Sequence, residues 1–199
     1  MNGIRTIGFA LCGSFCTYSQ VIPQMKKLKE NGYDIVPIMS YNSYSTDTRF
    51  GKAEDFIMDI ENICRQPVIH TIEDAEPIGP KSLLDALIIA PCTGNTIAKL
   101  ALGITDTPVT MAAKSHLRNK KPLIIAVSTN DALSANAKNI GVLLNTKYIY
   151  FVPFRQDDAL NKSTSLMAVF DKIEETLVKA LEGEQIQPMI FNGQLTMDN

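Results

Sequence analysis

The sequence predicts a single α/β domain whose sheet is mainly parallel and covered by helices on both faces. Short apolar segments alternate with segments that have the apolar spacing of helices, as in βαβ units joined by right-handed crossovers. Turns rich in glycine and hydroxyl residues follow several of the apolar segments, and 199 residues are enough for one core. We therefore place a doubly wound domain of the Rossmann-like or flavodoxin-like kind at 1–186, followed by an extended C-terminal arm at 187–199.

The first half of the chain predicts two strands, two helices and a polar loop. Val21, Met25 and Leu28 lie on one face of a helix over 18–31, with lysine and glutamate on the other face. Gly32 ends that helix, because glycine readily adopts the left-handed conformation found after many helix C-termini. The other elements predicted here are an apolar strand at 4–11, a strand at 34–39, a polar loop at 40–49 and a helix at 52–64.

The second half predicts buried strands, which are continuous apolar runs because both faces of a parallel sheet are covered. These strands are 86–90, 123–127 and 148–152, and a helical pattern starts at Ile97. An apolar stripe predicts a last helix over 165–182; it consists of Leu166, Val169, Phe170, Ile173, Leu177 and Leu181. The connection 153–164 is long for such a fold, and long loops in compact domains are often functional.

Composition and charge exclude several classes of protein. A net charge of −2 does not suit a nucleic-acid surface, which needs concentrated positive charge. No apolar run approaches the roughly 20 residues of a membrane span. The N-terminal segment has the pattern of a strand and not of a signal peptide, so we expect a cytoplasmic protein with four reduced cysteines. The two histidines have no metal-ligand spacing, so no metal site is predicted.

Polar turns follow the strands, at the edge where parallel sheets bind ligands. Gly13 and Ser14 come after the first strand, and a glycine turn at a helix start offers N–H groups to a phosphate. The turn after 86–90 and the later turns supply short hydrogen-bonding side chains: Thr93, Asn95, Thr96, Ser128 and Asn130. Ser40 follows the second strand, where a solvated loop serine is an equally good explanation. An ordinary strand–loop–helix connection is the alternative for the other turns.

The segment APCTGNTIAKLALGITDT, residues 90–107, carries a family resemblance. It resembles the motif AP-x-T/S-x-N-T-x-A-K-x-A-x-G-x-x-D of the FMN-binding flavoprotein family that contains phosphopantothenoylcysteine decarboxylase. The resemblance extends over 4–152 and implies that FMN is bound by the turn residues Gly13, Ser14, Ser40, Thr93, Asn95, Thr96, Ser128 and Asn130. Because relatives bind the flavin ring between neighbouring subunits, it also implies a homo-oligomer built on trimers.

One feature of the decarboxylase relatives is missing from this sequence. They have a catalytic histidine shortly before the strand that precedes the motif, and counting back from Ala90 and Pro91 places that position near Pro77. No histidine occurs there, and His70 is seven residues earlier. The departure counts against a decarboxylase, and no catalytic residue is assigned.

Within the family, four longer stretches resemble the B chains of dipicolinate synthase from spore-forming bacteria: STDTRFG, MAAKSHLRNKKP, STNDAL and VPFRQDDALNKSTS. The resemblance implies oxidation of a reduced pyridine dicarboxylate to dipicolinate, in the cytoplasm of the mother cell. It also implies a partner, the A chain of dipicolinate synthase, which carries a dinucleotide-binding domain and is expected to use NADP. A non-catalytic accessory role toward the A chain is the alternative.

Basic side chains are the candidates for binding the two carboxylates of such a substrate, because cations pair with carboxylates. The candidates are Lys114, Arg118 and Arg155. The first two belong to the basic run 114–121, which also contains His116 and is otherwise explained as a solvated helix end. Arg155 belongs to the long connection 153–164, where we expect it to contact either a substrate carboxylate or the A chain.

Overall fold

Seven strands form one mostly parallel sheet in the computed structural model, which describes residues 5–191. The strands are β1 (Thr6–Leu11), β2 (Asp34–Met39), β3 (Ala86–Cys92), β4 (Leu123–Thr129), β5 (Ile149–Phe151), β6 (Phe154–Arg155) and β7 (Leu166–Ala168). β1 pairs with both β2 and β3, β3 pairs with β4, and β4 pairs with β5, all in parallel. The predicted fold class is confirmed.

Helices cover both faces of this sheet. They are α1 (Tyr18–Glu30), α2 (Tyr41–Ser45), α3 (Ala53–Cys64), α4 (Ile72–Ala75), α5 (Gly94–Leu102), α6 (Pro108–Leu117), α7 (Ala137–Leu144) and α8 (Ile173–Leu181), with 3-10 turns at Phe15–Thr17, Glu76–Ile78 and Phe170–Lys172. Successive strand residues point to opposite faces. The strands therefore contribute to two apolar clusters, one under α1, α3 and α8 and the other under α5, α6 and α7.

The strand order determines where a ligand can bind. The chain passes from β1 outward to β2 and then returns across β1 to β3, so the direction of winding reverses between β1 and β3. In open α/β sheets, ligands bind in the crevice outside the carboxyl ends of the strands at such a reversal. Gly13, Ser14 and Thr93 directly follow β1 and β3 and therefore lie at this crevice.

The predicted helix over 165–182 is wrong at its start. Leu166–Ala168 forms β7, which pairs antiparallel with Ser128 and Thr129 of β4 and also with β6. β5 pairs only with residues 123–125 at the beginning of β4, so the end of β4 has backbone groups that β7 satisfies. The helix is confined to α8, and the long connection contains the short strand β6.

Three other segments differ from their predictions. The loop predicted at 40–49 contains α2, which Ser40 caps by accepting a hydrogen bond from the Ser43 amide. α5 begins at Gly94 rather than at Ile97. The basic run 114–121 is not simply a solvated helix end, because the His116 side chain is buried and its Nε2 lies 2.9 Å from the carbonyl oxygen of Pro122.

The C-terminal segment lies along the edge of the sheet. The Phe154 amide donates to the carbonyl of Met189, and the Phe191 amide donates to the carbonyl of Phe154, so this segment runs beside β6. The arm at 187–199 stays a prediction, because residues 192–199 lie outside the described part of the chain. Ile4, the first residue of the predicted first strand, also lies outside it.

Candidate functional site

The turn after β1 forms one wall of the candidate site. Gly13 and Ser14 lead through the Phe15–Thr17 turn directly into α1. The first amides of such a helical segment have no hydrogen-bond partner within it and are available to a ligand. The Ser14 hydroxyl lies 2.8 Å from the Ser128 hydroxyl near the end of β4. Two of the predicted turns therefore meet in space, although 114 residues separate them in sequence.

A pocket of about 220 Å³ opens between these turns. It brings together five of the residues predicted to bind the cofactor, namely Gly13, Ser14, Thr93, Ser128 and Asn130. Hydroxyl and amide groups dominate its wall, and Lys162 and Asp157 add one charge of each sign. A polar, hydroxyl-rich pocket that includes a lysine offers hydrogen bonds to the hydroxyl groups of a ligand and a cation to its anionic group.

The other three residues predicted to bind the cofactor lie beside this pocket without lining it. Thr96 is buried, and its hydroxyl lies 3.2 Å from the Cys12 thiol and 3.3 Å from the Thr93 hydroxyl, so it supports the wall from behind. Ser40 has its hydroxyl 2.8 Å from that of Ser43 as part of the α2 cap. Asn95 is exposed on the first turn of α5.

An aromatic cleft of about 340 Å³ adjoins the pocket and shares Cys16 with it. Phe15, Phe50 and Phe56 line this cleft, and Phe50 is 47% exposed. Aromatic faces of this kind stack on other flat rings. The polar pocket and the aromatic cleft together offer a two-part surface at the carboxyl edge of β1.

The loop between β6 and β7 closes one side of the pocket. The Thr164 hydroxyl donates to the Asn130 carbonyl over 2.6 Å, and the Ser165 hydroxyl lies 3.4 Å from the side-chain oxygen of Asn130. Lys162 Nζ lies 3.3 Å from a carboxylate oxygen of Asp157. Burial disfavours the charged form of Asp157, but hydrogen bonds from Ser165 and Lys162 outweigh this effect and hold its pKa below the ordinary value. The loop therefore contributes an ion pair to the pocket.

Sequence reasoning missed five polar residues of this pocket, which are Thr17, Ser165, Thr129, Asp157 and Lys162. The last two belong to the long connection that the sequence singled out as a whole. Composition alone could not show which of its side chains face the pocket, because the return of the chain through β7 was not predicted. Thr129 lies between Ser128 and Asn130 of the predicted turn, and the sequence alone could not show that its side chain also faces the pocket.

The residues predicted to bind a carboxylate do not meet at this pocket within one chain. α6 runs back toward the amino ends of the strands, so Lys114 and Arg118, near its C-terminus, lie at the opposite edge of the sheet. Lys121, just beyond them, donates to the carbonyl of Leu84 before the start of β3. Arg155 is exposed and lines a separate cleft of about 320 Å³ beside α1 and the Phe170–Lys172 turn.

His70 lies near the carboxyl edge of β2, because its neighbour Ile69 pairs with Ile38. Its ring stacks on Tyr44 with 3.8 Å between the ring centroids, and its Nδ1 lies 3.2 Å from the Val68 carbonyl oxygen. Between His70 and β3 the chain forms α4 and the Glu76–Ile78 turn, which pack against α6. The position near Pro77, where the decarboxylase relatives would have their histidine, therefore lies in this helical segment and not at the carboxyl edge of the sheet.

The described residues show neither an activated thiol in the core nor a metal cluster. Burial raises the pKa of Cys12 to about 11 and also raises the pKa of Cys92, so both are neutral thiols beneath the pocket. Over residues 5–191, no group of three or more His, Cys, Asp or Glu side chains is arranged to hold a metal ion. In the same range, no helix is long and apolar enough to cross a membrane.

Comparison with known proteins shows the family of this chain. The family model described as Flavoprotein matches residues 1–182. The chain belongs to this flavoprotein family. The B chain of dipicolinate synthase from Bacillus subtilis (strain 168) is 45% identical to this flavoprotein over 189 residues, which cover 95% of this chain and 94% of that protein.

Solved structures extend the comparison to three dimensions. The B chain of dipicolinate synthase from Bacillus halodurans is 44% identical and superposes with a TM-score of 0.88, covering 96% of this flavoprotein and 99% of that chain. DmrB from Burkholderia xenovorans, crystallised in complex with FMN, superposes with a TM-score of 0.67 at 17% identity, covering 92% of this chain and 98% of that one. The similarity to DmrB shows the fold alone, whereas the similarity to the Bacillus halodurans B chain extends to the sequence as well.

Proposed function

We propose that this flavoprotein is an FMN-binding B chain of dipicolinate synthase. It would take part in the oxidation of a dihydrodipicolinate-type precursor to dipicolinate during sporulation. The observation that carries the proposal is the pocket at the winding reversal, where the turns after β1, β3 and β4 present hydroxyl groups together with a lysine. The 45% identity with the Bacillus subtilis B chain over nearly the full length supports the choice of reaction.

The donors of the pocket fit FMN. The Ser14 and Ser128 hydroxyls, 2.8 Å apart, and the amides of the helix start offer hydrogen bonds to a phosphate, and Lys162 offers charge. The aromatic cleft offers apolar faces to a ring system. Other proposed contacts of the cofactor are Gly13, Ser40, Thr93, Asn95, Thr96 and Asn130. When bound, FMN supplies the hydride acceptor, while the protein supplies position and charge.

The proposed substrate is a small ring that bears two carboxylates, so cations of this chain would bind and orient it. Lys162 lies in the pocket, and Arg155 lies in the neighbouring cleft. Lys114 and Arg118 lie at the opposite edge of the same chain, so they would reach a substrate only from another subunit. The partner in this proposal is the A chain of dipicolinate synthase with bound NADP, in the cytoplasm of the mother cell of a spore-forming bacterium.

A second role is favoured by the chemistry of the pocket wall. Among the described residues that line the pocket there is no histidine, and the one carboxylate, Asp157, is paired with Lys162. A wall that holds no histidine and whose carboxylate is paired suits a protein that holds flavin and activates the A chain without turning over a substrate itself. The absence of a histidine near Pro77 also argues against an FMN-dependent cysteine-type decarboxylase.

Dipicolinate formation by the A chain, measured with and without this flavoprotein, tests the proposal. If the flavoprotein is catalytic, formation should require its FMN-loaded form, and the absorbance of the bound flavin should bleach when the dihydro precursor is added without oxygen. Equal stimulation by the FMN-loaded and FMN-free forms would instead support the accessory role. A rate that does not respond to the flavoprotein at all would contradict both roles.

The same assay defines what Arg155 contacts. Arg155→Lys should lower dipicolinate formation at least about tenfold, equivalent to about 1.4 kcal/mol, because lysine cannot replace a planar two-pronged guanidinium. If Arg155 binds the A chain, the substitution weakens that association, and an excess of the A chain should restore the rate. The same excess should not restore the rate if Arg155 binds the substrate. A wild-type rate at every concentration of the A chain would contradict both contacts.

We also propose that the chain forms a homo-oligomer built on trimers. Several large apolar side chains are exposed in the single chain: Leu102, Leu133, Val142 and Leu160. Contact between copies would remove such surface from water, which is favourable. Sedimentation velocity of the FMN-loaded chain at micromolar concentration should give the mass of a trimer or a multiple of it. A monomer with flavin bound would contradict the proposal.

A further inference from the structure

A chain of side-chain hydrogen bonds connects the end of β4 with α7. The Thr129 hydroxyl lies 2.6 Å from Asp131 Oδ1, and Asn136 Nδ2 lies 2.7 Å from Asp131 Oδ2. Asn139 Nδ2 in turn lies 2.8 Å from Asn136 Oδ1, and both asparagines are buried. The Asp131 carboxylate is therefore held through both of its oxygens.

The same group packs against the first residue of α5. A Cβ atom at Gly94 would lie 2.6 Å from Asp131 Oδ1, 2.6 Å from Asn136 Nδ2 and 2.7 Å from Thr129 Oγ1. Only glycine leaves room for this close approach. The carboxylate consequently lies beside the N-terminus of α5, where the helix dipole attracts negative charge.

The directions of these hydrogen bonds follow from the chemistry of the groups. An ionised carboxylate can only accept, and a threonine hydroxyl has a single proton to donate. Thr129 must therefore give its proton to Asp131. Thr129 also lines the pocket, so its oxygen can act there only as an acceptor. Ser14 and Ser128 differ from it, because two paired hydroxyls can exchange roles and still donate to a ligand.

We propose that Asp131 is a positioning residue that acts through Thr129, making it an acceptor for an O–H or N–H donor of the ligand. The inference rests on the FMN site proposed above and adds to it the orientation of the bound flavin. A ribityl hydroxyl or the ring imide, both of which are donors, would face Thr129. The phosphate, which only accepts at neutral pH, would face Ser14 and Lys162. Asp131 itself lies behind the wall and contacts the ligand only through Thr129.

Titration of the purified chain with FMN and with riboflavin tests this orientation, because the two flavins share the ribityl chain and ring but differ in the phosphate. Thr129→Val keeps the shape and removes the acceptor, so it should weaken the binding of both flavins by the same factor, about tenfold. Thr129→Ser keeps the hydroxyl and should restore most of the affinity. A loss confined to FMN would place the phosphate at Thr129 and overturn the proposal.

Asp131→Asn tests whether the carboxylate acts through Thr129. An amide at this position no longer compels Thr129 to donate, so flavin affinity should fall in the wild-type background. The same substitution should cost nothing further in the Thr129→Val background, which is the signature of two residues acting as a unit. Equal losses in both backgrounds would show a merely structural carboxylate and overturn the proposal.

Asp34→Asn is the matched control. Asp34 also accepts hydrogen bonds through both oxygens, from Gln66 and Lys29, but it lies at the amino end of β2, far from the pocket. Its substitution should leave both flavin affinities unchanged, and thermal unfolding verifies that every variant is folded. If the wild-type chain binds neither flavin, the proposed function fails and this inference fails with it. If the wild-type chain binds flavin and Thr129→Val binds it equally well, this inference alone is overturned.

Discussion

Ser14→Asp should weaken the binding of FMN by at least about 100-fold, roughly 2.7 kcal/mol, while riboflavin binding stays close to that of the wild type. The Ser14 hydroxyl lies at the start of the helical segment after β1 and lines the pocket. A carboxylate there would face the dianionic phosphate, and two unit charges about 4 Å apart near a protein surface repel by about 4 kcal/mol. The repulsion is therefore large enough to account for a loss of affinity of this size.

The fold should tolerate this substitution, because the Ser128 hydroxyl, 2.8 Å from that of Ser14, has a proton that it can donate to a carboxylate at position 14. Ser14→Ala serves as the uncharged control and should weaken FMN binding far less. Fluorescence titration of the three proteins with FMN and riboflavin measures the difference. Unchanged FMN affinity in Ser14→Asp would show that the phosphate lies elsewhere.

The parallel part of the sheet was predictable because its strands are continuous apolar runs. β2 has the predicted bounds 34–39, and β3 and β4 only extend beyond theirs, to Cys92 and Thr129. β7 was not predictable from the local pattern, since Leu166, Val169, Phe170 and Ile173 have helical spacing. Its pairing with the end of β4 depends on where β5 stops, which is a tertiary fact. Tertiary context overrode the local pattern there.

The candidate site, too, was predictable from the sequence only in part. The turns after β1, β3 and β4 could be predicted to converge, because parallel strands place their carboxyl ends at one edge. Lys114 and Arg118 were predicted to bind the substrate carboxylates because of their charge alone, but both lie near the C-terminus of α6, at the opposite edge of the sheet. Asp131 was hidden because its role depends on Gly94, which is 37 positions away in the sequence and touches it only in the folded chain.

His116 is the buried titratable group with the clearest consequence for stability. Its side chain is inaccessible to solvent, its Nε2–H donates to the Pro122 carbonyl, and Nδ1 has no hydrogen-bond partner among the described residues. Burial, with a smaller contribution from the charge of the neighbouring Lys121, lowers the pKa of His116 from 6.5 to about 4. The carbonyl of Pro122 and the charge of Asp85 only partly oppose this effect. The folded chain therefore keeps His116 neutral at pH values where the unfolded chain charges it.

Because the unfolded chain binds the extra proton, the free energy of unfolding should fall as the pH drops from about 6.5 to about 4. Over that window His116 should cost on the order of 3 kcal/mol, and its contribution should be constant above and below it. His116→Gln keeps a donor to Pro122 but cannot titrate, so this variant should lack that part of the pH dependence. Urea unfolding of both proteins at several pH values measures the difference, in which the carboxyl groups common to both chains cancel. Parallel curves for the two proteins between pH 6.5 and 4 would contradict a neutral, buried His116.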